Sequence, residues 1–398
     1  MRKRDGVTTV SLVMLCQGLQ AVSMGAISLF LPLIRADLQI SFSQAGLLSV
    51  AATFTYALGQ IPAGYLSDRF GPKRLFFIGI LGSMLLSILL GLIDAFWLAL
   101  VCLAVSGVFR ALLFVPGLAL ISSWFPPERR ATALGLYTVG SFAGNIFLSL
   151  VGPSLANHFG WRVPFILFAA IGTGAAFLYA VFGREKPRTA PRQKVGMLDA
   201  FQLFKYRIMW VCGAIQFIRL GTVMGFNFWL PSLLVADRGM TLQAAGLVTG
   251  MCAAFTMFSN TLGGYASDRL RNPPLVIGGS LAILACTSTL LVLVEPIPLL
   301  LVAVAVHSIF MQFYFGALFV VPIEVLGQRV AGMSTGFSNF FANIGALVFA
   351  FALGVVKDKA GSFTWGFIGI GAACILGVVL TLALARMRKG AMLEANHP

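Results

Sequence analysis

Acidic residues are scarce in this chain: 13 Asp and Glu stand against 28 Lys and Arg in 398 residues, and there are only three His. A site built from paired carboxylates, or from a His/Asp/Glu cluster at metal-ligand spacing, therefore has little to draw on, and no Ser/His/Asp set is credible in the apolar stretches. Charged residues of both signs amount to 10% of the chain, too few to cover the faces of a soluble domain. The six cysteines, Cys16, Cys102, Cys212, Cys252, Cys286 and Cys374, all lie in apolar runs without a CxxC pair. That excludes a disulfide framework and a zinc site, and leaves small packing residues. No metal, cofactor or catalytic constellation is expected, and the chain does not read as an enzyme.

What is abundant is apolar surface, with 59% hydrophobic residues and a mean hydropathy of +0.92. About 20 apolar residues cross roughly 30 Å of hydrocarbon. Twelve runs of that kind recur, near 7 to 34, 42 to 66, 74 to 93, 96 to 124, 131 to 157, 161 to 183, 207 to 234, 241 to 264, 274 to 294, 297 to 326, 331 to 357 and 361 to 386. The run after Arg4 is too long for a signal-peptide core and reads as a retained first span. The expected fold is an all-α membrane protein with twelve transmembrane helices.

A net charge of +15 invites a nucleic-acid reading, but the placement of the cations removes it. With the N-terminus inside, 21 of the 28 basic residues fall in inside segments and five, Arg35, Arg162, Arg238, Lys357 and Lys359, face outside. This is the positive-inside bias. It predicts a multi-pass protein of the cytoplasmic (inner) membrane with both termini in the cytoplasm, its basicity serving topology and the lipid bilayer.

An internal repeat at an offset of 200 organises the chain. Residues 41 to 74 (SFSQAGLLSVAATFTYALGQIPAGYLSDRFGPKR) and 241 to 274 (TLQAAGLVTGMCAAFTMFSNTLGGYASDRLRNPP) are identical at eight positions, among them Tyr65 with Tyr265, Asp68 with Asp268 and Arg69 with Arg269. The expected organisation is two six-helix bundles related by a pseudo-twofold repeat, over 1–183 and 207–389. A polar, basic linker over 184–206 joins them and a short cytoplasmic tail occupies 390–398. Parallel repeats of this kind serve alternating access by rocking.

The motif GYLSDRFGPKR between spans two and three resembles the loop signature of the major facilitator superfamily. The twelve spans, the degenerate second copy GYASDRLRNPP and the WFPPERRATALGL after span four extend the resemblance over the whole chain. In character it is closest to the anion-cation symporter and monocarboxylate-type branches. The resemblance implies secondary transport by alternating access, with the loop residues Gly64, Asp68, Arg69, Gly71, Lys73 and Arg74, and Asp268 and Arg269 in the second copy, latching one state of the cycle. A topology anchor is the plainer reading of the same loop. Two departures narrow the family's possibilities. Ala104 stands where many members carry a span-four arginine, so that residue's coupling role does not pass to Arg110; and Leu148-Ser149 replace the Gly-Pro of drug and proton exchangers.

Of the 28 cations only Arg110 and Arg219 fall well inside spans, four and seven. An arginine at the centre of a span costs roughly 2.5–3.5 kcal/mol on insertion scales, so it is seldom kept without a partner. No acid sits at that depth to pair with them, the nearest being Glu324 near the end of span ten. Two guanidinium groups without protein counter-charges point to an anion, and their planar forks suit a carboxylate or a phosphate. The expectation is a small anionic substrate held from both halves. The bland alternative is that each arginine binds backbone carbonyls and fixes packing.

Polar residues at helical spacing mark further candidates for the cavity wall: Gln17 and Gln20, Tyr56 and Gln60, Tyr137, Ser141 and Asn145, Gln216, Tyr314, and Asn339 with Asn343. Each alone could equally be a helix-to-helix hydrogen bond. His307 shares a face with Met311 and Tyr314 and is the candidate for proton exchange. The sequence thus reads as a secondary transporter of a small organic anion, a carboxylate, coupled to protons by symport and acting as a monomer. An inorganic anion such as nitrate or phosphate, or anion exchange, is the next reading; efflux of an amphipathic compound is third.

Overall fold

A computed structural model of the chain describes residues 3–125, 130–185, 205–326 and 331–395. Most of the expected linker (186–204) and the last residues of the tail (396–398) lie outside the described residues. Every regular element among the described residues is a helix: α1 (Lys3–Leu29), α2 (Leu31–Leu38), α3 (Phe42–Phe70), α4 (Pro72–Leu90), α5 (Phe96–Ser123), α6 (Arg130–Phe159), α7 (Arg162–Phe182), α8 (Arg207–Ala236), α9 (Leu242–Leu270), α10 (Pro273–Leu293), α11 (Ile297–Phe313), α12 (Phe315–Leu326), α13 (Ala331–Ala360) and α14 (Thr364–Ala395). In lipid, backbone N–H and C=O groups must be satisfied within the segment, and helices are how a single span does it.

Among the described residues, eleven stretches are long and apolar enough to cross a membrane. The 29-residue α3 is not among them. Ser43, Gln44, Ser49, Thr53, Thr55, Tyr56 and Gln60 dilute its hydropathy, and Tyr56 is one of the candidate ligands. The twelve expected spans otherwise map onto the helices with two differences. Span one is broken at Phe30, where Leu31-Pro32 opens α2 with proline in its first turn. Span ten is broken at Tyr314, between α11 and α12.

Packing groups the chain into two compact units, Met1–Pro191 with Phe228–Gly250, and Arg192–Asn227 with Met251–Pro398. In the first unit the Ser28 hydroxyl donates to the Phe228 carbonyl at 2.8 Å and the rings of Phe42 and Trp229 lie 5.9 Å apart, which accounts for the membership of the 228–250 segment. Its core is aromatic and apolar, with Phe76 against Tyr179 at 4.9 Å beside Val13, Ile80, Met84 and Leu120. Arg162 at the start of α7 pairs with Asp37 and Asp94 and so ties together the ends of α2, α4 and α7.

One helix crossing recurs in both units. In the first, α1 and α6 meet so closely that a Cβ on Gly140 would lie 2.6 Å from the Met14 carbonyl oxygen. In the second, a Cβ on Gly345 of α13 would run into the Phe217 carbonyl of α8. Lipid tails are as apolar as leucine, so such pairs associate through backbone approach and dispersion rather than the hydrophobic effect.

Candidate functional site

In the first unit the side chain of Arg110 on α5 lies over the ring of Tyr56 on α3, 4.9 Å from its centroid. Its Nε and Nη1 are buried and have no protein hydrogen-bond partner among the described residues. Aromatic rings continue the wall, with Tyr56 to Phe114 at 6.2 Å and Phe114 to Tyr137 at 5.7 Å. Tyr137 donates to Gln17 Oε1 at 2.7 Å, and Gln17 Nε2 donates to Ser141 at 2.9 Å. Gln17 is therefore spent in a network between α1 and α6. Gln20 is buried on α1, Gln60 is half-buried on α3, and Asn145 stands against α1 at Gly25.

The second unit treats its arginine differently. Arg219 on α8 is 3% exposed. Its Nε donates to Gln216 Oε1 at 2.7 Å and its Nη1 to Gln312 Oε1 at 3.0 Å, while the guanidinium lies 4.8 Å from the Phe315 centroid. An arginine has no acceptor, so both amides must turn their oxygens toward it and their NH2 groups away. Among the described residues, Gln216 Nε2 is buried without a hydrogen-bond partner, as is the Tyr314 hydroxyl at the break between α11 and α12. The surroundings of Arg219 thus offer donors, and no described carboxylate pairs with it. Neither arginine makes an ion pair with a described residue.

His307 is fully buried on α11. Its Nδ1 meets the Thr287 hydroxyl at 2.9 Å, its ring stacks on Phe226 at 4.4 Å, and its Nε2 has no hydrogen-bond partner among the described residues. Packing and one hydroxyl hold it, not a carboxylate. Asn339 is exposed on α13, and Asn343 spends its amide on the Asn339 carbonyl at 2.8 Å within the same helix.

Of the loop residues, Gly71 joins α3 to α4 at φ 86°, a conformation glycine adopts without strain. Arg69 lies over Phe70, 5.4 Å from its centroid, and Arg269 Nη1 reaches the Tyr265 hydroxyl at 3.2 Å; both arginines are exposed, as is Arg74, while Lys73 is half-buried. The side-chain surroundings of Gly64, Asp68 and Asp268 lie outside those described. The structure adds one residue to this loop. Glu185, just past α7, accepts from the Lys73 backbone N–H at 3.3 Å and so caps α4, a favourable place for a negative charge.

Gln312 and Glu185 carried no signal in the sequence. A lone glutamine in an apolar run and a glutamate in a basic segment look like background. Only the neighbour across the helix crossing gives each a role.

With this geometry in hand, comparison with known proteins places the chain in a family. It belongs to the Major Facilitator Superfamily, whose sequence profile matches residues 13–350, with a second match over 216–393. It is similar to the hexuronate transporter of Bacillus subtilis (strain 168), at 24% identity over 100% of this chain and 99% of that one. It is also similar to a probable galactarate/D-glucarate transporter of Escherichia coli (strain K12), at 26% identity over 85% of this chain and 84% of the relative. Among solved structures it resembles a bacterial homologue of the human lysosomal transporter Spinster in an inward-facing, unoccupied conformation, with a TM-score of 0.81 at 19% identity over 99% of both chains. That likeness is one of fold.

Proposed function

We propose that this chain is a secondary transporter of a small organic anion of the sugar-acid type, with Arg110 and Arg219 as its cationic ligands. The observation that carries the reading is Arg110: a guanidinium deep in a span, stacked on Tyr56, with two buried nitrogens that no described residue satisfies. A carboxylate supplies the missing acceptors and the missing charge together. The names of the similar proteins, a hexuronate and a probable galactarate/D-glucarate transporter, support an acid bearing hydroxyls. The donors of Gln216 and Tyr314 are suited to those hydroxyl oxygens.

The cycle is alternating access between two six-helix halves in the cytoplasmic membrane, with the termini inside, as the charge bias supports. The loop from Gly64 to Arg74 and its second copy at Asp268 and Arg269 serve as the latch. Proton symport is the coupling, with His307 or the substrate itself carrying the proton.

The test is uptake by proteoliposomes of D-glucuronate, D-glucarate, lactate and nitrate under an imposed pH gradient. Accumulation of a sugar acid that Arg110→Ala and Arg219→Ala both abolish is the expected result. Preferred uptake of nitrate, or sugar-acid uptake unchanged in both variants, refutes the substrate and the site respectively. A pH-gradient response that persists in His307→Gln assigns the proton to the substrate.

A further inference from the structure

Arg219 is held from two sides that are not equivalent. Gln216 lies three residues earlier on the same helix, fully buried, and moves with the arginine. Gln312 comes from α11, is only half-buried, and stands two residues before the break at Tyr314. We infer that Gln312 is a place-holder: its amide oxygen occupies, on Nη1 of Arg219, the position that a substrate oxygen takes, and binding displaces it. The inference rests on Arg219 being an anion ligand.

The chemistry favours the exchange. A carboxylate makes a charge-assisted bond to guanidinium roughly twice as strong as one involving a neutral partner, so it outcompetes an amide oxygen for the same donor. The amide meanwhile keeps the buried arginine satisfied when no substrate is present, and so removes the penalty of an unpaired group.

The surroundings explain how displacement would be felt. The Gln312 carbonyl accepts the Tyr314 N–H that closes the end of α11. The next carbonyl, that of Phe313, lies against Gly263 of α9, where an added Cβ would fall on the oxygen itself. Ser259 of α9 donates to the Ile309 carbonyl on the preceding turn, and the Thr256 hydroxyl, which donates to the Cys252 carbonyl at 2.7 Å, lies 3.4 Å from the Ser308 carbonyl. The break is therefore clamped by α9 on one side and by the Arg219–Gln312 bond on the other. Substrate releases the second clamp and leaves the first as a pivot.

Purified full-length protein in nanodiscs is titrated calorimetrically with D-glucuronate, and uptake kinetics are measured in proteoliposomes. Wild type binds and Arg219→Ala binds at least tenfold more weakly, about the worth of one hydrogen bond to a charged group. Gln312→Met, close in shape but with only a weakly accepting sulfur, tightens Kd by about tenfold on the same ground and lowers KM and kcat together. Gln312→Glu, a fixed charge on Arg219, weakens Kd by at least about tenfold. Should the methionine variant not fold, Gln312→Asn, too short to reach Nη1, carries the same expected tightening. Weaker or unchanged binding in the folded Gln312→Met or Gln312→Asn protein, with Arg219→Ala still impaired, overturns the place-holder alone. Binding that Arg219→Ala leaves intact overturns the anion site and the place-holder with it.

Discussion

Replacing Arg110 with methionine is expected to make the ligand-free protein more heat-stable, and replacing Arg219 with methionine to make it less so. Both substitutions remove a charge whose presence at the centre of a span costs roughly 2.5–3.5 kcal/mol. What differs is the compensation lost. Arg110 gives up one cation–π contact with Tyr56, worth about 0.5–2 kcal/mol. It surrenders no hydrogen bond at Nε or Nη1, because those nitrogens have no partner among the described residues. The balance favours methionine by about 0.5–3 kcal/mol. Arg219 gives up hydrogen bonds to Gln216 and Gln312, each worth about 1.5–3 kcal/mol to a charged donor, and the contact with Phe315. The amide oxygens of the buried Gln216 and the half-buried Gln312 then lose this donor. The balance there runs from near zero to several kcal/mol against methionine; since the charge cost and one ring contact are common to both arginines, the two variants are expected to differ by the two hydrogen bonds, about 3–6 kcal/mol. Thermal denaturation of the purified proteins, followed by intrinsic fluorescence without ligand, reads the sign directly. A fall in Tm for Arg110→Met as large as that for Arg219→Met refutes the claim that Arg110 is held in deficit for a ligand. A substrate that raises the Tm of wild type is expected to leave Arg110→Met unmoved.

Other consequences concern the packing around these sites. Gly140→Leu forces α6 off the Met14 carbonyl of α1 and is expected to cost about 1–3 kcal/mol by overpacking, visible as a lower Tm and reduced yield of monodisperse protein. Gln17→Leu removes the acceptor of the buried Tyr137 hydroxyl and is expected to cost about 1–3 kcal/mol; Gln17→Leu combined with Tyr137→Phe is expected to recover most of that loss, and a purely additive double variant would contradict the network. Glu185→Gln weakens the cap on α4 by about 0.3–1 kcal/mol, an effect that salt is expected to diminish in melting experiments.

How much of this was legible in the residues depends on the range over which each feature is determined. The helices were legible because a span is a local matter: a run of about 20 apolar residues leaves the backbone no alternative in lipid. Even α3, with its hydropathy lowered by Thr53, Thr55, Tyr56 and Gln60, was marked by its repeat of α9. The breaks at Phe30 and Tyr314 were not legible. Pro32 hints at the first, but the second has no proline of its own, and the α9 residues that meet its carbonyls, Ser259 by a hydrogen bond and Gly263 by close approach, are about fifty residues away in sequence.

The two arginines divide in the same way. Their depth, and the absence of an acid beside them, could be counted along the chain. Their inequality could not: Arg219 is satisfied because α11 brings Gln312 to it, and Arg110 is unsatisfied because α3 brings only a ring. Composition and charge placement by themselves determined that this chain lives in lipid and keeps two cations there, since the costs involved are set residue by residue. Which cation is already paired, and which Gln17, Tyr137 or Asn343 is spent on another helix or on its own backbone, was decided only by tertiary packing, because a hydrogen bond belongs to two groups and the sequence shows them one at a time.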